Sequence, residues 1–311
     1  MSILNQKRGI SMKKILTFAV LVVGLFLLVS CGDNQQQGAA SGAFLGGTEG
    51  VTAEFEDFGV VEDGVSSVFD TEAFPIEVTI KNKGEYKVKP GDVTIKLMGP
   101  AKEEFTGVTS WELKNKGDVE IISDLLPQGG EEILTFASDA KYALPVNGIL
   151  EKNWYASIEA KYQTYLIIPE ACLKEDLTDK RVCEVKEPKT FFVSGAPITI
   201  SSVDEDTAGQ GIMALSIEVS NVGGGKVTKV GDTFGTYDKL AFSIDDAAWE
   251  CKSGGKVNEA KLGEDNTAEI SCKTKQPLSK GTLATKQLRL TFDYVYRTEV
   301  QEKVNIKQSV K

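Results

Sequence analysis

Apolar and polar residues alternate in short runs from Val51 to the end of the chain. The clearest runs cover residues 76–80, 93–97, 154–162 and 288–296. A period of two gives a half-buried antiparallel strand its one apolar face, and no stretch after Val51 has the apolar spacing of a helix. Turns rich in Gly, Asn and Asp separate the runs at intervals of about 8–12 residues. The sequence therefore predicts an all-β protein of antiparallel β-sandwiches.

Two parts of the chain resemble each other. Residues 74–88 (FPIEVTIKNKGEYKV) and 213–227 (MALSIEVSNVGGGKV) both contain a strand that ends in Asn-x-Gly. The segment SIEAKYQTY, ending at Tyr165, is followed in the same order by LTFDYVYRT, ending at Thr298. The repeated order predicts two copies of one fold. The alternative is that any two β domains share strands of this kind.

The duplicated segments predict local roles for glycine and tyrosine. Gly84 and Gly223 are expected to supply a positive φ where a strand turns into a loop. One tyrosine of Tyr162 and Tyr165, and one of Tyr294 and Tyr296, is expected to bond the backbone through its hydroxyl. A tyrosine patch that contacts a ligand is the alternative. The three tryptophans sit beside apolar residues and are expected in the core.

Residues 194–197 (SGAP) lie between two strand-like segments and suit a short hinge. The predicted domains are therefore residues 48–195 and 196–311, each an antiparallel β-sandwich.

The charge and composition exclude several classes of function. The formal net charge is -10, which disfavours nucleic acid as a partner because like charges repel. The chain has no histidine, so it lacks the usual general base near neutral pH and cannot form a Ser-His-Asp triad. We therefore expect no enzyme activity and no cofactor. Paired carboxylates of a hydrolase stay a less favoured alternative.

The first thirty residues have the pattern of an export signal. Lys13 and Lys14 precede an uncharged stretch of 15 residues, 15–29, which is short for a transmembrane helix and long enough for a signal-peptide core. Either Met1 or Met12 can be the start. The stretch ends in LVSC, residues 28–31, which resembles a lipobox. That resemblance implies cleavage after residue 30 and a lipid on Cys31. The alternative is an uncleaved N-terminal anchor.

Residues 32–47 (GDNQQQGAASGAFLGG) have the composition of a flexible linker, and we call them the tether. Its root-mean-square reach is roughly 20–24 Å. Removal of residues 1–30, with four basic residues and no acid, changes the net charge from -10 to -14. An acidic exported portion is expected to stand away from anionic lipid head groups.

Four cysteines remain once Cys31 is assigned to lipid, namely Cys172, Cys183, Cys251 and Cys272. Four cysteines allow three pairings. Local pairing within each half, Cys172 with Cys183 and Cys251 with Cys272, is favoured, and the second pair would close a hairpin that turns at residues 263–266. A four-cysteine zinc site is disfavoured because neither pair has CxxC spacing.

Acidic clusters lie at residues 54–57, 62–63, 204–206 and 245–246, and carboxylates of this kind can bind a metal ion. The sequence does not show whether any of them does so. Calcium bound near Asp204, Glu205 and Asp206 is one alternative, and a solvated loop is the other.

The strands that end in Asn-x-Gly, at Asn82 and Asn221, resemble CARDB-like and related immunoglobulin-like modules of bacterial and archaeal surface proteins. The combination of lipobox, tether and two such modules is also similar to uncharacterised surface lipoproteins of archaea. The resemblance implies two tandem immunoglobulin-like sandwiches, residues 48–195 and 196–311, with adhesive, scaffold or binding roles, and it brings no catalytic residues.

We therefore expect a lipid-anchored protein at the outer face of the cytoplasmic membrane, or cell surface. It would bind a protein or glycan without covalent chemistry, in adhesion, scaffolding or envelope assembly. The alternative is a lipoprotein that captures a small molecule or sugar for a membrane complex. This alternative predicts a concave apolar pocket, most naturally between the domains.

Overall fold

The structure is a computed structural model, and it describes residues 43–310. The expectations for the export signal, Cys31 and most of the tether lie outside the described residues. Residues 43–310 form nineteen strands and one short 3-10 helix, Lys102–Glu104. No helix within 43–310 is long and apolar enough to cross a membrane. The all-β antiparallel sandwich prediction is confirmed.

The strands assemble into three sheets. In chain order they are β1 (Val51–Phe55), β2 (Val60–Glu62), β3 (Val65–Phe69), β4 (Phe74–Asn82), β5 (Val93–Leu97), β6 (Phe105–Thr106), β7 (Glu112–Lys114), β8 (Glu131–Tyr142), β9 (Ile149–Lys174), β10 (Phe192–Val193), β11 (Ile198–Gly209), β12 (Ile212–Asn221), β13 (Lys226–Thr228), β14 (Lys239–Ile244), β15 (Trp249–Ser253), β16 (Lys256–Val257), β17 (Glu259–Lys261), β18 (Thr267–Thr274) and β19 (Leu283–Lys307). One outer sheet has the order β1-β4-β8-β6 and the other β11-β12-β18-β15-β16.

The central sheet has ten strands and serves both halves of the chain. Its main path is β17-β14-β19-β9-β5-β7, and β10, β13, β3 and β2 join from the side. All of its pairs are antiparallel except β3 with β19. Even-numbered residues of β9 and β19 are buried from Trp154 to Ile168 and from Leu288 to Tyr296, so one face of this sheet carries the core.

The two long strands each reach across both halves of the chain. At about 3.3 Å per residue, β9 and β19 are each roughly 80 Å long. The second half of β9 contacts β11, since the Thr164 hydroxyl donates to the carbonyl of Ile198 at 2.8 Å and the N–H of Cys172 donates to Glu205. The end of β19 pairs with β3 from the other half. Residues 48–195 and 196–311 are therefore joined by one sheet, and their division into separate domains stays a prediction.

A local two-fold symmetry relates the halves. In the register of β9 and β19, Lys161 faces Val295. A rotation of 180° about an axis through the midpoint of this pair exchanges the two strands and superposes Tyr162 on Tyr296. It also brings β5, which pairs with β9, onto β14, which pairs with β19. In the sequence alignment of the two tyrosine segments, by contrast, Tyr162 aligns with Val295, one position before its structural equivalent Tyr296.

Aromatic side chains fill the core of the first half. Trp154 is fully buried and stacks on Phe58 at 5.7 Å between ring centroids. Phe105 contacts the same indole ring edge-on at 4.9 Å, and Phe74 contacts Phe105. Because Phe74 and Phe105 belong to the outer sheet and Trp154 to the central sheet, these contacts hold the two layers together. Trp111 is only half-buried.

The glycines of the two Asn-x-Gly turns do not have a positive φ, so that expectation is wrong. A Cβ on Gly84 would lie 2.1 Å from the hydroxyl oxygen of Tyr162, and a Cβ on Gly223 would lie 2.6 Å from that of Tyr296. Glycine is required here because a tyrosine hydroxyl approaches the backbone closely.

The expected hairpin at residues 263–266 is also wrong. β17 precedes this turn in the central sheet, whereas β18 follows it in an outer sheet. The turn therefore carries the chain from one layer to the other. Gly263 donates its N–H to the carbonyl of Thr267 at 2.8 Å, and Asn266 has a φ of 60°. The same short polar turn closes a hairpin or joins two layers, and sequence alone does not separate these outcomes.

Candidate interaction surface

The face of the central sheet opposite the core is accessible to solvent, and we call it the open face. It is formed by the odd-numbered residues of β9 and β19, since side chains alternate along a strand. Most of these residues are half-buried or exposed and polar or charged. The open face therefore differs sharply from the core face, where tyrosine, phenylalanine and aliphatic side chains are buried.

Two polar pairs cross between β9 and β19 at symmetric positions on the open face. The guanidinium of Arg297 bonds the Glu159 carboxylate at 2.5 Å. The Gln163 amide donates to the Asp293 carboxylate. The local two-fold axis exchanges these pairs. Arg297 also lies 3.7 Å from the ring centroid of Phe234, so its charge is covered by an aromatic face.

Tyr165 is the centre of an aromatic and cationic stack on the open face. The guanidinium of Arg289 lies 4.3 Å from its ring centroid, and the ring of Phe44 lies 6.4 Å away. The Tyr165 hydroxyl donates to the side-chain oxygen of Gln163 at 2.6 Å. Burial raises the pKa of Tyr165 more than the nearby Arg289 lowers it, so the phenol stays protonated near neutral pH.

A depression of about 410 Å³ lies on the open face beside β5 and β7. Its lining includes Lys96, Lys114, Glu159 and Arg297. Within residues 43–310 neither Lys96 nor Lys114 forms an ion pair, although Lys96 faces Glu112 in the strand register. Glu112 and Glu299 also line the depression, which therefore brings together three basic and three acidic side chains. This mixed arrangement suits polar or multiply hydroxylated groups of a large partner, because both kinds of side chain can bond them.

Glu85 holds the end of the tether. Its carboxylate accepts backbone N–H groups from Leu45 at 2.8 Å, Gly46 at 2.9 Å and Gly195 at 2.6 Å. Three charge-assisted bonds to one carboxylate fix the backbone more firmly than neutral bonds do. Ser194 and Ala196, beside Gly195, are buried. The described end of the tether is thus fixed at the junction of the two halves.

Matched contacts hold the two Asn-x-Gly turns. Tyr162 donates its hydroxyl to the side-chain oxygen of Asn82 at 3.0 Å, and its oxygen accepts the N–H of Tyr86 at 3.4 Å. In the second half the hydroxyl of Tyr296 bonds the side-chain oxygen of Asn221 at 3.0 Å and accepts the N–H of Gly225 at 2.6 Å. One tyrosine of each pair therefore bonds the backbone, which confirms that prediction.

Both predicted disulfides are present, Cys172 with Cys183 and Cys251 with Cys272. The second joins neighbouring strands, because Cys251 of β15 faces Cys272 of β18 in the register. Disulfides persist in oxidising compartments, and their presence indicates an extracytoplasmic protein.

The first disulfide lies next to a buried ion pair. Glu205 is 1% exposed, and its carboxylate lies 2.7 Å from the ammonium of Lys189. The other carboxylate oxygen accepts the N–H of Cys172 at 2.7 Å. Burial raises the pKa of Glu205 despite these partners. The segment after Cys183 runs along β11, since Lys186 donates its N–H to the carbonyl of Glu205.

The acidic clusters do not converge. Asp204, Glu205 and Asp206 alternate along β11, and Asp206 pairs with Lys186 at 3.5 Å. Asp246 of another cluster pairs with Lys286 at 2.8 Å. In the described range, 43–310, no group of three or more acidic or cysteine side chains is placed to hold a metal ion.

We compared the chain with protein-family models, with curated protein sequences and with solved structures, and none of the three comparisons finds a match. The site therefore rests on the geometry of this chain.

Sequence reasoning missed two of the groups that hold the surface together. Glu85 is one of 45 acids in the chain, and the sequence marks Glu205 only as a member of the acidic cluster at residues 204–206. A weak signal exists for Glu85, since it directly follows the Asn-x-Gly turn that ends at Gly84. No local pattern predicts the ion pair of Glu205, because its partner Lys189 and the N–H of Cys172 come from other segments.

Proposed function

We propose that this protein is a lipoprotein at the outer face of the cytoplasmic membrane, or cell surface, that binds a protein or glycan partner without covalent chemistry. Lipid on Cys31 would hold it at the membrane. The open face would carry the contact, in adhesion, scaffolding or envelope assembly.

Three observations support the anchor and location. The sequence LVSC at residues 28–31 resembles a lipobox, and the tether follows it directly. The two disulfides fit an oxidising compartment. We expect two acyl chains at Cys31, because two hold a protein stably at a membrane, whereas one gives only marginal attachment.

The observation that carries the binding role is the depression on the open face. Lys96 and Lys114 are exposed there, and in the described part of the chain they have no carboxylate within ion-pair distance. Beside them Arg297 is already held by Glu159 and Phe234, so its position is fixed before a partner arrives. A cation that is already fixed loses little side-chain entropy on binding.

Metabolic labelling tests the anchor. Cells that express the full chain are given radioactive palmitate, and the protein is immunoprecipitated. We expect label in the native protein and none in Cys31→Ser, which would also be released from membranes. Absence of label together with recovery of the native protein inside the cell would disprove the anchor.

Site-specific photo-crosslinking tests the contact. A benzoyl-phenylalanine is placed at Thr94, in the depression, or at Lys273, which is exposed on the outer sheet of the other half. On intact cells we expect high-mass adducts from position 94 that weaken when Lys96 and Lys114 are both changed to glutamate. Equal adducts from both positions would contradict a role for the open face.

A further inference from the structure

The strand β2 forms a free edge of the central sheet. It pairs with β3 alone, and Asp63 and Gly64 connect the two strands with φ values of 50° and 78°. In a two-residue hairpin the residues beside the turn, Glu62 and Val65, exchange both backbone hydrogen bonds. The next residue, Val61, therefore directs its N–H and C=O away from β3, where another strand can bond them.

The side chains on this edge are apolar and exposed. Val60 is 69% exposed and Val61 is 48% exposed, and Phe69 on the neighbouring strand is 42% exposed. Proteins usually protect free edges with charged residues, above all lysine. Among the other described edge strands, β7, β16 and β17 contain Lys114, Lys256 and Lys261, whereas β1, β6 and β11, like β2, contain no lysine. The distinguishing feature of β2 is therefore its pair of exposed valines.

The chain segment that contains β2 is acidic. The segment from Val51 to Glu72 contains seven acids and no basic residue, and the acids are Glu54, Glu56, Asp57, Glu62, Asp63, Asp70 and Glu72. Lys307 bonds Glu62, but Asp57 and Asp63 have no ion-pair partner in the described residues. A second copy of this chain would bring the same acids together, which is unfavourable. A strand with basic side chains would be attracted.

We propose that β2 binds an extended, lysine- or arginine-bearing segment of another protein, which adds to the central sheet as its next strand. The backbone of Val61 bonds this segment, the side chains of Val60 and Val61 pack on its two faces, and the acids around the hairpin contact its basic side chains. This site is independent of lipid on Cys31 and of the open-face depression.

Peptide binding to the full chain in an uncharged detergent tests the proposal. The probe is a fluorescent nine-residue peptide of alternating lysine and valine, measured by anisotropy. We expect binding that weakens with added salt and falls at least tenfold when alternate peptide nitrogens are methylated. The corresponding glutamate–valine peptide should not bind. Equal binding of the methylated peptide would show charge adsorption alone and overturn strand addition.

Two variants locate the site. Val61→Pro removes the outward N–H without removing a bond to β3, and it should weaken the lysine peptide at least tenfold. Val257→Pro is the matched control, because Val257 is also the second residue from a two-residue turn, that of β15 and β16, and is 49% exposed. This variant should bind the lysine peptide as the native chain does. If both variants bind as the native chain does, the proposal is wrong.

A third variant tests the site without the risk that a proline substitution unfolds the protein. Val60→Lys on the solvent-exposed edge should repel the basic peptide and leave the unfolding midpoint in urea unchanged. Sedimentation of the native chain completes the test. Dimers that form with increasing concentration and disappear in Val61→Pro would show that a second copy occupies the edge, and would overturn the choice of a basic partner.

Discussion

The hydroxyl of Tyr162 and the hydroxyl of Tyr296 each lie 3.0 Å from the side-chain oxygen of an asparagine, Asn82 and Asn221 respectively. Each hydroxyl also accepts a backbone N–H four residues after its asparagine. Burial raises the pKa of both phenols, so both stay protonated donors at physiological pH.

Loss of either hydroxyl should destabilise the fold. Tyr162→Phe and Tyr296→Phe each remove a donor from an asparagine oxygen and leave a backbone N–H without its acceptor, which costs about 1–3 kcal/mol of unfolding free energy. Urea unfolding measures the effect. Tyr165→Phe is the control, since Tyr165 is half-buried and its hydroxyl bonds a side chain rather than the backbone, and it should change stability by less than about 0.5 kcal/mol. An equal loss of unfolding free energy in all three variants would contradict a special role for the contacts of Tyr162 with Asn82 and of Tyr296 with Asn221.

Glu85→Ala should release the end of the tether. Three backbone N–H groups lose a charged acceptor, and we expect a loss of roughly 2 kcal/mol or more in unfolding free energy. Limited proteolysis should cut near Leu45 at least tenfold faster than in the native chain. Glu49→Ala, at an exposed neighbouring acid, should leave the cleavage rate unchanged. Unchanged cleavage in Glu85→Ala would show that the contacts do not hold the tether.

The ion pair of Lys189 and Glu205 should show strong coupling in a double-mutant cycle. Glu205→Gln keeps an acceptor for the N–H of Cys172 but leaves the buried ammonium of Lys189 with less compensation, at a cost of about 3 kcal/mol. Lys189→Met should cost a similar amount. The double variant should lose clearly less than the sum, since no buried charge is left unpaired. Additive losses would argue against a direct interaction.

Removal of either disulfide should lower stability by roughly 3 kcal/mol on the chain-entropy account. The variants are Cys172→Ser with Cys183→Ser, and Cys251→Ala with Cys272→Ala. Thiol labelling with peptide mapping supplies the direct check. These four cysteines should be unreactive in the native exported protein and reactive after reduction. Four reactive thiols before reduction would rule out the bridges.

Stability should fall in acid partly through Glu259. Hydrogen bonds from Lys229 at 2.5 Å and Lys256 at 2.6 Å lower the pKa of its carboxyl from 4.5 to about 2. A lowered pKa gives stability that is present above about pH 4.5 and is lost as the pH falls towards 2.

Glu259→Gln should therefore be less stable than the native chain at pH 7, by at most about 1 kcal/mol because Lys256 is mostly exposed. The difference should shrink towards zero near pH 2. Urea unfolding at several pH values measures it, with Glu264→Gln as a control at an exposed acid. A difference independent of pH would exclude the ion pairs as its cause.

The candidate surface was only partly predictable. The alternation on β9 and β19 identifies which residues leave the core, so Glu159, Gln163 and Tyr165 could be assigned to a polar face in advance. Their partners could not, because Arg297 and Asp293 lie more than a hundred positions away and their pairing depends on strand register. A shift of one residue would move every one of these side chains to the opposite face.

By itself the sequence determined the strands, the buried tyrosines and tryptophan Trp154, and the local pairing of the cysteines. The strands and buried rings depend on neighbours a few residues apart, and the cysteine partners are only 11 and 21 residues apart, so period and spacing act directly. Only the tertiary structure decided that β9 and β19 join both halves in one sheet, that Gly84 makes room for Tyr162, and that Glu85 fixes the tether. Such choices follow from the free energy of contacts between distant segments, which local patterns do not encode.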